Sequence, residues 1–287
     1  PVENAAFMPW LALTAFIHSI MVQKRRGMFR MWNIALINIS FALGAFGVFI
    51  NRGGPVPSVH SFGASTLGWV FLIFLGVTTL ASFGLFFYRM SALRSSSNLE
   101  STLSRETAFL VNNLLLLAIA FVTLWGVVFP LISELAIGRT ITVGEPFFDR
   151  VNGPIMLVLI LLMGIGPLLP WRTGTWASIR HAIMIPAAIT LVITGISLLV
   201  LGITKPVVWI GVAVSTLVGV SIFQEWVRGT IARSRSTQVP YPVAFLHLMS
   251  SNRPRYGGYV VHLAVVMLAF GVIASRRRSP EAGRTRS

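Results

Sequence analysis

The chain has 287 residues, of which 55% are hydrophobic and 11% charged, with a mean hydropathy of +0.78. That balance excludes an ordinary water-soluble domain and points to an all-α, polytopic transmembrane helical bundle: a backbone in lipid must satisfy its own hydrogen bonds, and the apolar runs lack the two-residue alternation of barrel strands. Cysteine is absent, which excludes disulfides, thiolate metal sites and a cysteine nucleophile, so the formal net charge of +15 is the feature left to explain.

A helix needs about 20 apolar residues to cross a bilayer. Eight stretches qualify, at 5–22, 32–50, 68–88, 107–132, 153–170, 182–202, 206–226 and 256–274. Basic residues collect in alternate connections: Lys24, Arg25, Arg26 and Arg30; Arg89, Arg94 and Arg105; Arg172 and Arg180; then Arg228, Arg233, Arg235, Arg253 and Arg255. The intervening connections carry Arg52, then Glu134, Glu145 and Asp149 with Arg139 and Arg150, then Lys205. This positive-inside pattern places the N-terminus and the loops 51–67 and 133–152 outside, and the basic connections in the cytoplasm. The charge is thus a topology signal, and no nucleic acid is expected as a partner.

Loop 51–67, NRGGPVPSVHSFGASTL, carries His60 and a single charge, Arg52, and its glycines and prolines exclude a regular helix through its middle. Loop 133–152 contains VGEPFFDRVNGP, whose paired aromatics suggest a segment at the membrane interface. In the fifth span, Gly164, Gly166 and Pro167 read first as a packing kink and second as a hinge. Loop 227–255 is long and basic, and its PYPVAFLHLM portion reads as an amphipathic segment on the membrane surface, with His247 at the headgroups. The basic tail 276–287 falls outside by the helix count, against the rule, and is expected to be disordered or truncated. The chain opens on Pro1, and an upstream portion is expected to be missing.

Five histidines are the inventory of nitrogen ligands: His18, His60, His181, His247 and His262. His18 precedes the Lys24-Arg25-Arg26 cluster by six residues, and His262 follows Arg253 and Arg255 by nine and seven. At about 1.5 Å per residue, each imidazole lies roughly 10 Å inside a basic edge. Ionisable rings at that depth are rare and face a partner, a cavity or a cofactor. Each alone reads first as a hydrogen-bonded packing residue; matched depth on two helices, the geometry of a bis-histidine haem, makes the ligand reading its equal. Small or flexible neighbours, Thr14, Ala15, Met21 and Val22 for His18 and Gly258 for His262, leave room for a flat macrocycle. His181 and His247 read as interface and surface residues. His60, in a loop with few charges, is either a loop residue or an external ligand able to hold iron. With no acidic pair inside a span, no Ser/His/Asp arrangement and no phosphate-cradling glycine loop, hydrolytic and nucleotide chemistry lack their parts.

The opening run PVENAAFMPWLALTAFIHS resembles the segment immediately after the tryptophan-rich WWD signature of the CcmF/NrfE family of cytochrome c-type biogenesis proteins. Pro1-Val2-Glu3-Asn4 and Phe7-Met8-Pro9-Trp10 stand as in that family, and NRGGPVPSVHSFG, SRETAFLVNN, VGEPFFDRVNGP, LLMGIGPL and RYGGYVVHL match it in order up to about residue 274. The resemblance implies a haem lyase of the bacterial inner membrane with its substrate site facing the periplasm. Such an enzyme takes haem from a haem chaperone and attaches its vinyl groups to the thiols of a Cys-x-x-Cys-His apocytochrome c. It implies His18 and His262 as the two ligands of a resident b-type haem that passes electrons, with quinol a candidate donor, and His60 as the external ligand of the substrate haem. Trp10 would add to a flat apolar platform for the porphyrin, and Arg52 is a candidate partner for a propionate, with headgroup snorkelling its equal alternative.

On this reading residues 1–275 form a partial haem-lyase core that works with a thiol-presenting subunit. The WWD motif and a second external histidine lie upstream of this sequence, NRGGPVPSVH is looser than the family's usual form, and the family's external domain and last span after the His262 helix are replaced by the basic tail. The fragment alone is expected to be inactive. A transporter or haem-export subunit is the leading alternative of another class, and a membrane scaffold that docks the chaperone is a third.

Overall fold

The computed structural model describes residues 2–53, 67–95, 99–201 and 205–278. Within them the chain is helical: α1 (Val2–Arg26), α2 (Arg30–Gly53), α3 (Leu67–Tyr88), α4 (Arg105–Ile137), α5 (Glu145–Ile165), α6 (Trp176–Leu201), α7 (Pro206–Thr237), α8 (Tyr241–Ser251) and α9 (Arg253–Arg278), with short 3₁₀ turns at Met90–Leu93 and Gly166–Leu168. All but α8 are long and apolar enough to cross a membrane, which gives the eight spans expected from hydropathy. Leu80, Leu199 and Met267 stand 76%, 85% and 68% exposed, apolar side chains suited to lipid rather than water.

The helices overrun the apolar stretches. Loop 133–152 shrinks to 138–144, and loop 227–255 is mostly helix, because α7 continues to Thr237 and α9 begins at Arg253. The charged ends of α4 and α7 satisfy their backbone without needing apolar side chains, so hydropathy marks the slab and not the helix. At about 1.5 Å per residue α7 is roughly 48 Å long, well beyond the ~30 Å hydrocarbon layer. The polar segment 225–237 therefore forms a stem beyond the core.

The chain divides into two compact units, residues 1–102 with 106–156, and residues 103–105 with 157–287. In the first, α1 and α2 form a tight hairpin. Gly27 (φ 68°) closes α1, its amide donating to Gln23 O at 2.8 Å, in the left-handed cap that glycine adopts without strain. Pro9 inside α1 cannot donate an amide to Ala5 O. Gly47 of α2 lies against that carbonyl, so closely that a Cβ there would stand 2.9 Å from the oxygen. Ser40 donates to Pro9 O at 3.2 Å, which adds a second tie across the hairpin. Phe148, from VGEPFFDRVNGP, rests on Gly126 of α4, so this aromatic packs inside the unit rather than serving purely as an interface residue.

In the second unit α7 is the central helix, packed by α6, α8 and α9. Gly211, Ser215, Val218 and Ile222 are buried along one side of it, and Gly164 of α5 approaches the Val218 backbone at Cβ distance 3.3 Å. Gly164 is thus a packing glycine, the first of the two sequence readings. After Gln238 (φ 54°) the chain reverses and α8 runs back along the α7 stem: Ser234 donates to Val239 O, and Gly229 abuts Leu248. The PYPVAFLHLM segment, expected on the membrane surface, falls within and just before helix α8. Its buried side, Ala244 and Leu248, is applied to α7, and Phe245 meets Trp226 edge-on at 6.2 Å, so protein rather than headgroups covers that face.

Candidate functional site

His18 is half-buried on α1, with Nδ1 2.7 Å from the Thr14 carbonyl oxygen. A carbonyl cannot donate, so Nδ1 carries a proton, and in the neutral ring the lone pair falls to Nε2. That is the tautomer of an imidazole that ligates a metal through Nε2 while a backbone carbonyl steers its other nitrogen. The Phe109 ring of α4 lies 5.9 Å away, tilted by 46°, and walls one side of the imidazole. Trp10, eight residues earlier and about 12 Å along the axis, stacks on Phe7 at 5.8 Å and 18° and is 51% exposed, a flat apolar face directed out of the helix. Trp10 and His18 share a helix but not a contact.

His262 is half-buried on α9 in the second unit, with Nδ1 shielded from solvent. One turn away, Tyr259 is 5% exposed and its hydroxyl joins a polar cluster: Arg255 donates from Nε to Tyr259 Oη at 3.2 Å, Tyr259 donates to Glu225 Oε2 at 3.4 Å, and Arg255 pairs directly with Glu225 of α7. Gly258 stands one turn from His262, and a Cβ built there would meet no atom within 4 Å.

Arg52 is exposed in the last turn of α2, where its charge complements the helix C-terminus. His60 lies outside the described residues. His181 and His247 are exposed on α6 and α8, in keeping with surface roles. Among the described residues no three of His, Asp and Glu gather as a metal cluster.

Two charge clusters are not evident from the sequence, where Arg26 and Arg255 count only towards topology. One is Glu225–Arg255–Tyr259. The other closes α1: Arg26 pairs with Glu100 and stands 3.0 Å from Glu106, whose side chain is 3% exposed. The SRETAFLVNN stretch supplies Glu106 to that pair, while the neighbouring Arg105 serves the second unit. Arg105 donates to Leu169 O at 3.0 Å and to Pro167 O, and lies over the Trp171 ring at 5.3 Å. Two of the family-like motifs, SRET and LLMGIGPL, thereby meet through one guanidinium. The available signal was an acid, Glu106 or Glu225, standing on an otherwise basic edge.

No family model matches the chain. The cytochrome c-type biogenesis protein CcmF of Haemophilus influenzae is 35% identical over 98% of this chain and 42% of its own length. The cytochrome c-type biogenesis protein NrfE of the same organism is 36% identical over 57% of this chain and 26% of its own length. A solved structure, the Cytochrome c Heme Lyase CcmF, matches 96% of this chain and 39% of its own with a TM-score of 0.70 at 28% identity. The chain spans about two fifths of the length of the CcmF proteins it matches. With its eight candidate spans and these relatives, the chain is a multi-pass membrane protein and belongs to the CcmF/NrfE family of cytochrome c-type biogenesis proteins.

Proposed function

We propose that this chain belongs to the core of a haem lyase in cytochrome c maturation. It acts with a haem chaperone and a thiol-presenting subunit on Cys-x-x-Cys-His apocytochrome c, at the periplasmic side of the bacterial inner membrane. The relative named a heme lyase supports the reaction class. The observation that carries the site is His18: a half-buried imidazole in a span whose Nδ1 donates to Thr14 O, the arrangement in which Nε2 is the ligating atom.

The donor set suits a b-type haem: two imidazoles, one beside an aromatic wall and one a turn from an open glycine. His18 and His262 would hold it, and bound there it would supply single electrons, drawn from a donor such as quinol, to keep the substrate iron reduced. His60 would take the iron of the incoming haem and yield it to the apocytochrome's own histidine. Arg52, beside the segment that bears His60, would face a propionate of that substrate, and Trp10 would extend the apolar platform for its ring. The test is the reduced absorption spectrum of the protein purified in detergent. A bis-histidine signal lost in His18→Ala and in His262→Ala is expected, and a spectrum unchanged in both refutes the ligand assignment. His60→Ala is expected to keep that signal and abolish c-type cytochromes in cells. A chain that holds no haem through purification favours the transport reading instead.

A further inference from the structure

On α9, Arg255, Gly258 and His262 lie on one stripe. Arg255 and His262 are seven residues apart, which is about 10.5 Å of rise and about 20° of rotation, and Gly258 lies between them. A Cβ at Gly258 would meet nothing within 4 Å, so the helix surface is open at the position between the two side chains. The adjoining side is filled: Tyr256 and Tyr259 are both buried, their rings edge-on at 5.8 Å. Arg255 is held in place by Glu225, by Tyr259 Oη and over the Tyr256 ring at 5.5 Å. These contacts engage Nε and one Nη of a guanidinium that has five N–H donors, so part of the fork remains for a second anion. On α1 the same spacing recurs, with Arg25 seven residues after His18, but Val22 between them is wholly buried. The open strip belongs to α9.

We propose that Arg255 binds a propionate of the haem that His262 ligates, with the porphyrin lying over Gly258. The inference rests on the ligand role proposed for His262. A protohaem carries its carboxylates on one edge, at a reach from the iron of the same order as this two-turn spacing, and a pre-oriented guanidinium is the side chain suited to bind a carboxylate in two-pronged fashion. Glu225 then acts as the tether that fixes the fork.

The experiment titrates haemin and its dimethyl ester, which lacks the carboxylate charges, into the haem-free full chain in detergent and follows the absorption. Wild type is expected to hold haemin about tenfold tighter than the ester, the effect of one charge-assisted hydrogen bond. Arg255→Gln is expected to bind both alike, Arg255→Lys to keep part of the preference, and Glu225→Gln to keep most of it. Gly258→Val, which leaves the ion pair untouched, is expected to weaken haemin and ester equally while thermal unfolding is unchanged. A preference that survives Arg255→Gln, while His262→Ala abolishes binding, overturns the propionate role and leaves the ligand role standing. Binding that survives His262→Ala overturns both, and undiminished binding in Gly258→Val overturns the porphyrin's placement.

Discussion

Replacing Glu106 with Gln removes a charge that is 3% exposed and faces Arg26, itself 13% exposed, at 3.0 Å. Losing one member of a buried pair leaves the other charge stranded and typically costs about 3–5 kcal/mol. Two features lower that figure. Arg26 keeps its second partner, Glu100, and its Nε makes an ionic contact to Glu106 without a hydrogen bond from that atom. The expected loss is roughly 2 kcal/mol. Glu100, 45% exposed, is screened by solvent, so Glu100→Gln is expected to cost about 0.2–1 kcal/mol and to become milder still in high salt. Arg26→Gln combined with Glu106→Gln is expected to cost less than the two singles together, by about 1–2 kcal/mol, since the second change removes the stranded charge left by the first. Unfolding of detergent-solubilised protein, followed by tryptophan fluorescence, measures all four. Additive singles, or a Glu100→Gln penalty as large as that of Glu106→Gln, would refute the argument from burial.

Gly44 and Gly47 of α2 offer a matched pair. A Cβ on Gly47 would meet the Ala5 backbone oxygen at 2.9 Å, where no flexible atom can give way, so Gly47→Ala is expected to destabilise by about 1–3 kcal/mol, whereas Gly44→Ala, with nothing within 4 Å, is expected to be neutral or slightly stabilising in the same assay. Arg105→Lys is expected to behave nearly like Arg105→Gln, losing about 1–3 kcal/mol, because an ammonium cannot span the carbonyls of Pro167 and Leu169 and stack on Trp171 together; a lysine variant with wild-type melting contradicts this. Thr14→Val is expected to leave any haem spectrum intact, since His18 is steered by the backbone oxygen of Thr14 and not by its hydroxyl; a lost signal would place that steering in the side chain.

The number of spans, their helical nature and the depth of His18 and His262 are properties of a one-dimensional pattern. Lipid demands about 20 apolar residues and a self-satisfied backbone, so composition along the chain is sufficient to find them. The motifs around Trp10, His18 and His262 likewise carry their resemblance as sequence. Helix ends are another matter, because a helix continues past the apolar slab at little cost wherever its backbone stays bonded, as α7 does to Thr237. Charge pairing is invisible from sequence for a different reason. Arg26 with Glu106 and Arg255 with Glu225 are separated by 80 and 30 residues, and which acid meets which base depends on helix rotation and register. The same holds for the glycines: Gly44 and Gly47 are chemically identical, and only the approach of Ala5 decides which one tolerates a methyl group. Sequence by itself determined that this protein lives in a membrane and where its costly rings lie. The tertiary structure decided what holds those helices in register, because that depends on contacts between residues far apart in the chain.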